Sequence, residues 1–216
     1  MCGRYVSART VDLIAEELGV ADVDEVLRAD HRPDYNVAPT ATVPAVLGRT
    51  LTAATWGLPV QVGDGTRLVI NARVESAAER PAFSSAYAER RCMLPADGYY
   101  EWSGSGAARQ PWFLSPADGG LLVMAGLYFR RGDGLLVVVL TGPATGEAAR
   151  LHDRTPMAVP PEGRERWLTA AGAPVDTLVP ATALGLDVCP VSPAVNSVAN
   201  NGPYLLDRQP VQSPLF

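Results

Sequence analysis

Glycine and proline separate almost every pair of apolar runs in this chain, with 20 of the first and 19 of the second. Each ends a helix or turns a strand, because glycine admits positive φ and proline lacks a backbone donor. The apolar runs left between the breaks are short, at 42–47, 50–56, 67–70, 92–94, 99–102, 112–114, 121–127 and 135–140. Bounded by turn residues and rich in valine, leucine and aromatics, they read as strands. Helical spacing is confined to 11–18, with Thr10 as cap and Gly19 as stop, and to 22–28, 84–90 and 161–168, the last with Pro161 in its first turn. The fold class is therefore α+β, a single compact domain over 1–216 of short, mostly antiparallel strands, barrel- or sandwich-like, flanked by short helices. Segments 104–109, 119–120 and 131–134 read as hairpin tips, and 195–203 as a polar loop.

At 216 residues and 47% hydrophobic content the chain can bury a full core. No apolar run approaches the length of about 18 residues needed to span a bilayer, and no basic-then-apolar leader is present, so a cytoplasmic address is expected, with no membrane partner. Cys2, Cys92 and Cys189 are odd in number and far apart, which fits neither a disulfide framework nor a zinc knuckle. With His31 and His152 the only histidines, no metal site and no cofactor are expected. A net charge of −5 argues against indiscriminate coating of nucleic acid. The acids crowd the first 34 residues, however, and the arginine-rich remainder permits a local cationic groove.

Cys2 follows the initiator methionine in Met1-Cys2-Gly3-Arg4-Tyr5, so removal of Met1 would leave a thiol beside a free α-amine. Such an aminothiol condenses with an aldehyde and closes through sulfur to a thiazolidine. All 18 basic residues are arginine, which makes the amino terminus the only primary amine in the chain. Schiff-base chemistry must pass through it. The alternative is a small thiol in a frayed tail.

Three further places hold polar groups beside apolar strands. Asn71 and Arg73 end the run 67–70, either presenting functional groups or forming a solvated turn with Arg73 paired to Glu75. Glu101 lies between Tyr100 and Trp102: buried, it would have a raised pKa suited to proton transfer; turned to water, it would have no such role. His152, between Leu151 and Asp153, titrates near neutrality and is either a proton-transfer group or an ordinary surface histidine. His31 reads as the latter.

Taken in order, MCGRY at 1–5, YNVAP at 35–39, WGL at 56–58, INARVES at 70–76, ADGYYEW at 96–102, LHDRTP at 151–156 and VSPAVN at 191–196 resemble the SOS-response-associated peptidase (SRAP) family of abasic-site processing proteins. The resemblance covers essentially the whole chain. It implies a protein that crosslinks itself to abasic sites in single-stranded DNA through the exposed Cys2, shielding the lesion, with Met1 removed by autoproteolysis or by a host aminopeptidase. It implies catalytic roles for Cys2, Asn71, Glu101 and His152. It implies DNA contacts from Arg4, Asn36, Pro39, Arg73, Thr141 and Arg154. The partner it implies is single-stranded DNA containing abasic sites, which would place the protein at the nucleoid once bound, and nothing demands more than a monomer.

One stretch departs from the pattern. Segment 58–70 holds no aromatic residue where the resemblance implies a longer insertion able to wedge against bases, which bears on affinity and on preference for strand junctions. Two rival readings stand beside this one. An N-terminal-nucleophile glutamine amidotransferase-like hydrolase also begins Met-Cys-Gly and uses the α-amine as its base. A non-catalytic reader of damaged DNA would bind reversibly.

Overall fold

Strand pairing dominates the computed structural model, which describes residues 2–106, 109–172 and 174–210. Five strands close on one another. Leu122–Arg131 bonds Arg91–Ala96, followed by Thr42–Leu47, Thr50–Trp56 and Gly134–Pro143, and the last pairs back with the first. Closure leaves these strands no free edge. The ring is antiparallel except where Gly134–Pro143 meets Thr50–Trp56. Asn71–Arg73 adds to the other end of Gly134–Pro143, also in parallel.

The apolar runs are continuous because both strand faces are covered. Cys92, Leu94, Leu122, Met124, Val137 and Val139 pack in one buried cluster with Tyr5, Tyr99 and Trp112 of a second sheet. Their neighbours Met93, Val123, Val138 and Leu140 pack in another with Ile14, Tyr87 and Trp167 of the helices. The second sheet runs Leu186–Pro190, Gln110–Pro116, Gly98–Ser103, Tyr5–Ser7, Asp34–Val37 from edge to edge. The molecule is thus a single α+β domain of mostly antiparallel strands, as its punctuation predicts.

The chain crosses from barrel to sheet through one residue, Asp97, between Arg91–Ala96 and Gly98–Ser103. Its backbone N–H donates to the Val6 carbonyl at 2.8 Å and its carboxylate accepts from the Ala8 N–H at 2.7 Å, so the corner is fixed against the amino-terminal strand. A side chain at Gly98 would put Cβ 2.5 Å from the Leu114 carbonyl. Only glycine admits that approach, which seats the strand carrying Glu101.

The first helix, Val11–Leu18, forms as expected, with Thr10 accepting from the Leu13 N–H and Gly19 ending it at φ 64°. The second differs from the expected 22–28. Asp22–Val23 is a short strand, and the helix is Glu25–Asp30, because the Asp24 carboxylate caps the Val26 and Leu27 amides. The expected 161–168 helix is a 3-10 turn, Pro161–Gly163, followed by Arg164–Thr169. Segment 195–203 is framed by two 3-10 turns, Pro193–Asn196 and Pro203–Leu206. The stretch 58–70 is a hairpin of its own, Leu58–Val62 against Gly65–Val69, with Val62 and Leu68 exposed. Part of the expected tip at 104–109, residues 107 and 108, lies outside the described residues. No helix among the described residues is long and apolar enough to cross a membrane.

Candidate active site

Tyr5 pairs with Tyr99 and Val6 with Gly98, and the Arg4 carbonyl accepts from the Tyr100 N–H at 2.9 Å. One further step along that register sets Gly3 opposite Glu101, which brings Cys2 beside the glutamate. Alternation puts Glu101 on the same face as Tyr99, and Tyr99 belongs to the cluster that buries Cys2. The carboxylate is 4% exposed and Cys2 fully buried. Strand geometry therefore decides what the bare sequence leaves open: Glu101 points inward.

A second line of contacts delivers Asn71. Trp56 stacks edge-on against Tyr5, with centroids 5.1 Å apart, and its Nε1 donates to the Ile70 carbonyl at 3.0 Å. The next residue, Asn71, then donates through Nδ2 to the Cys2 carbonyl at 2.8 Å. Its Oδ1 is buried with no hydrogen-bond partner among the described residues. One acceptor of the amide remains available beside the cysteine.

His152 arrives from the loop that follows the 3-10 turn Gly146–Arg150. The Arg154 N–H donates to its Nδ1 at 2.9 Å, which leaves the proton of the neutral ring on Nε2. The Asp153 carboxylate lies 2.8 Å from the same nitrogen and can hold the ring once it is protonated. Burial holds the imidazole below its ordinary pKa, so the neutral form is favoured. Behind it, Thr155 shares a 3.0 Å hydroxyl contact with Tyr99, tying this strand to the Glu101 strand.

The electrostatics follow from burial. Desolvation raises the Glu101 carboxyl above the usual carboxylate range, the direction that suits a proton-transfer group. Desolvation, reinforced by the nearby Glu101 charge, pushes the Cys2 thiol well above its ordinary value. The thiol is thus held protonated beside the group able to take its proton. Gly3, Arg4, Glu101, Trp102, Gly104, Arg109, His152 and Asn196 enclose a polar cleft of about 430 Å³.

The structure brings Cys2, Asn71, Glu101 and His152 to this one place, and Arg4 with them. Arg4 donates from Nη1 to Asn36 Oδ1 at 2.5 Å and to the Val195 carbonyl at 2.9 Å. The rest of its fork has no partner among the described residues. Asn36 is 4% exposed, and its amide also donates to the Ser197 and Asn200 carbonyls, so it fastens the 195–200 loop rather than presenting itself to a ligand. Pro39 is partly exposed at the turn before Thr42–Leu47, and Arg73 is exposed.

Two expected DNA contacts take a different place. Thr141 is fully buried, its hydroxyl directed at the Ala72 carbonyl. Arg154 is 9% exposed and forks onto Glu75 at 2.5 and 2.9 Å, with a third bond to the Thr141 carbonyl. Of the two readings of this segment, the solvated Arg73–Glu75 pair does not form: strand Asn71–Arg73 runs parallel to Gly134–Pro143, and Glu75 pairs with Arg154. Removing Glu75 would leave a buried guanidinium unpaired. Glu75→Ala is expected to lower stability by about 1–3 kcal/mol, measured by denaturant unfolding, whereas Arg73→Ala should leave it within about 0.5 kcal/mol.

Trp102, Arg109 and Asn196 line the cleft although the motifs did not single them out. Trp102 and Asn196 sit inside recognised segments; Arg109 falls in a stretch whose composition says only hairpin tip. Among the described residues no group of three or more histidines, cysteines and acids gathers as a metal site.

Fold and site together define a class: an α+β barrel protein whose buried Cys2 is held by an asparagine and lies near a carboxylate, beside a polar cleft that the carboxylate and a histidine line. The model of the SOS response associated peptidase (SRAP) family matches residues 1–198, and the chain belongs to that family. Among its relatives, the abasic site processing protein YedK of Escherichia coli is 34% identical, over 98% of this chain and all of that protein. The abasic site processing protein YoaM of Bacillus subtilis is 29% identical, over 97% and 99% of the two chains. A crystal structure of a protein from Bacteroides thetaiotaomicron superposes with a TM-score of 0.80 at 21% identity, covering 96% of this chain and all of that one, and shares the fold.

Proposed function

We propose that this protein captures abasic sites in single-stranded DNA by forming a thiazolidine between Cys2, once Met1 is removed, and C1′ of the ring-opened sugar. The observation that carries the reading is the placement of Cys2. Its carbonyl is held by Asn71, its thiol lies under the influence of Glu101, and both adjoin a cleft that also presents His152 and Arg4. The names of the relatives, abasic site processing proteins, point the same way.

The thiol's raised pKa orders the steps. A protonated thiol is a poor nucleophile, while an α-amine of pKa about 7.7–8.0 is partly free at neutral pH. The amine therefore attacks the aldehyde carbon first, giving a carbinolamine. Glu101, protonated, gives its proton to the departing hydroxyl, and water leaves as the imine forms. The thiol sulfur then adds to the carbon of the protonated imine, its proton passing to the Glu101 carboxylate and restoring the acid, while the nitrogen keeps its own proton as the ring N–H. One carbon–nitrogen and one carbon–sulfur bond form, and one water is lost. Asn71 fixes the Cys2 backbone, and its open Oδ1 accepts from the new ring N–H. His152 Nε2–H donates to the 3′ phosphate or to the freed sugar hydroxyl, restraining strand cleavage.

In this account the peptidase activity of the family name is the self-processing that exposes the amine of Cys2. The protein acts as a single domain, as a monomer, and in the cytoplasm at damaged DNA. The test is a denaturing gel of the mature protein with an oligonucleotide bearing one abasic site. A shifted band supports the reading; its absence, with ammonia released from glutamine, would assign the cleft to an amidotransferase-like hydrolase instead.

A further inference from the structure

We propose that Arg109, seated on the face of Trp102, is a phosphate-binding residue of the cleft that clamps the DNA backbone opposite Arg4. The inference rests on the abasic-site reading above and names a residue that the family motifs do not mark.

Three observations carry it. The guanidinium carbon of Arg109 lies 4.8 Å from the centroid of the Trp102 ring, and the Trp102 Nε1 donates to Asn196 Oδ1 at 2.7 Å. The indole is thus held at its edge by Asn196 and capped on one face by the arginine. A planar cation resting on a fixed ring has lost much of its rotamer freedom before any ligand arrives. The backbone beneath is also set: Ser103 pairs with Gln110, the last register pair of the hairpin, and the Trp112 Nε1 donates to the Ser103 hydroxyl at 2.8 Å. Arg109 leaves the hairpin directly beside that pair.

The second observation is charge. Arg109 is exposed and makes no ion pair among the described residues, although its charge reaches Glu101 across the cleft; Arg154, by contrast, is taken up by Glu75. It lines the same cleft as Arg4, whose unused donors lack a partner, and the two cations repel: the Arg109 charge is among the influences that lower Arg4, after burial. Two cations lining one cleft make it a place for an anion, and a bridging phosphate would relieve their repulsion. Burial raises the Glu101 carboxyl, which lessens its pull on the two cations.

The third is what the structure lacks elsewhere. The hairpin Leu58–Val62/Gly65–Val69 carries no aromatic side chain, so stacking from that side is unavailable. Holding a strand whose lesion has no base to stack then falls more heavily on phosphate contacts at the cleft.

The experiment compares wild type with Arg109→Gln and Arg109→Lys in two assays. The first is reversible binding of an undamaged single-stranded oligonucleotide, followed by anisotropy across a salt series. The second is adduct formation on an abasic oligonucleotide as a function of DNA concentration. For Arg109→Gln the slope of log K against log salt should become shallower by about 0.7, the value for one phosphate on a single strand. The half-saturating DNA concentration for adduct formation should rise about tenfold, with the maximal rate within about twofold of wild type. Arg109→Lys should restore the slope. An unchanged slope and half-saturation in Arg109→Gln would overturn the inference, as would a fall in maximal rate alone, which would tie Arg109 to the chemistry at Glu101. If wild type forms no adduct, the abasic-site reading fails, and the salt slope still decides whether Arg109 holds a phosphate.

Discussion

Cys2→Ala, matured to expose its α-amine, is expected to form no adduct that survives denaturation on abasic single-stranded DNA, a loss to background. The amine of residue 2 remains, so it still condenses with the aldehyde. Without sulfur the imine cannot close and hydrolyses when the protein unfolds. Borohydride added during the reaction should restore a stable band, because reduction fixes the imine as an amine. The lysine-free composition makes this readout clean, since no other primary amine exists to be trapped. Cys2→Ser should behave alike and guards against a packing defect at this fully buried position. A stable adduct from either variant without reductant would place the nucleophile elsewhere.

Glu101→Gln is expected to slow adduct formation about 100-fold, the low end for loss of a positioned acid–base group. The pH profile should also change shape. Wild type needs a free amine and a protonated carboxyl, so its rate rises and then falls with pH. The variant keeps only the requirement for the amine and should rise to a plateau. Stability should move the other way. Burial raises the folded-state pKa of Glu101, so the native protein holds that proton where the unfolded chain releases it. Stability contributed at this site is present at low pH and lost as pH climbs from the ordinary carboxylate value, about 4.3, through the raised one. Glu101→Gln should therefore melt higher than wild type near pH 7.5, the gap closing toward pH 4. A variant that is slower and less stable at neutral pH would make Glu101 a structural residue.

Much of this architecture is legible in the chain because turn chemistry is local. Thr10 and Gly19 bound the first helix by hydrogen bonds within their own turn, and glycine and proline delimit the barrel strands. The Asp24 cap was hidden because its effect is to shift a helix start by three residues, which apolar spacing alone does not register. Barrel closure was not legible either: the parallel pairing of Gly134–Pro143 with Thr50–Trp56 joins runs about eighty residues apart. Other long-range pairings decide the site. Which face of its strand Glu101 uses depends on register with Tyr5, and whether Arg154 meets solvent or Glu75 depends on where Asn71–Arg73 docks. The family motifs named the residues that converge on Cys2, but could not tell a cleft arginine such as Arg4 from a buried one such as Arg154. Arg109 carried no motif signal, because its position follows from a ring contact made only after the hairpin forms.

The most direct test of the central claim is the mass of the adduct. After nuclease digestion, the account predicts a protein beginning at Cys2 that carries the sugar fragment less one water, mapped to the amino-terminal peptide and unchanged by borohydride added after the reaction. An adduct that gains two hydrogens on such treatment, that maps to another peptide, or that forms on a protein whose amino terminus is chemically blocked would contradict it.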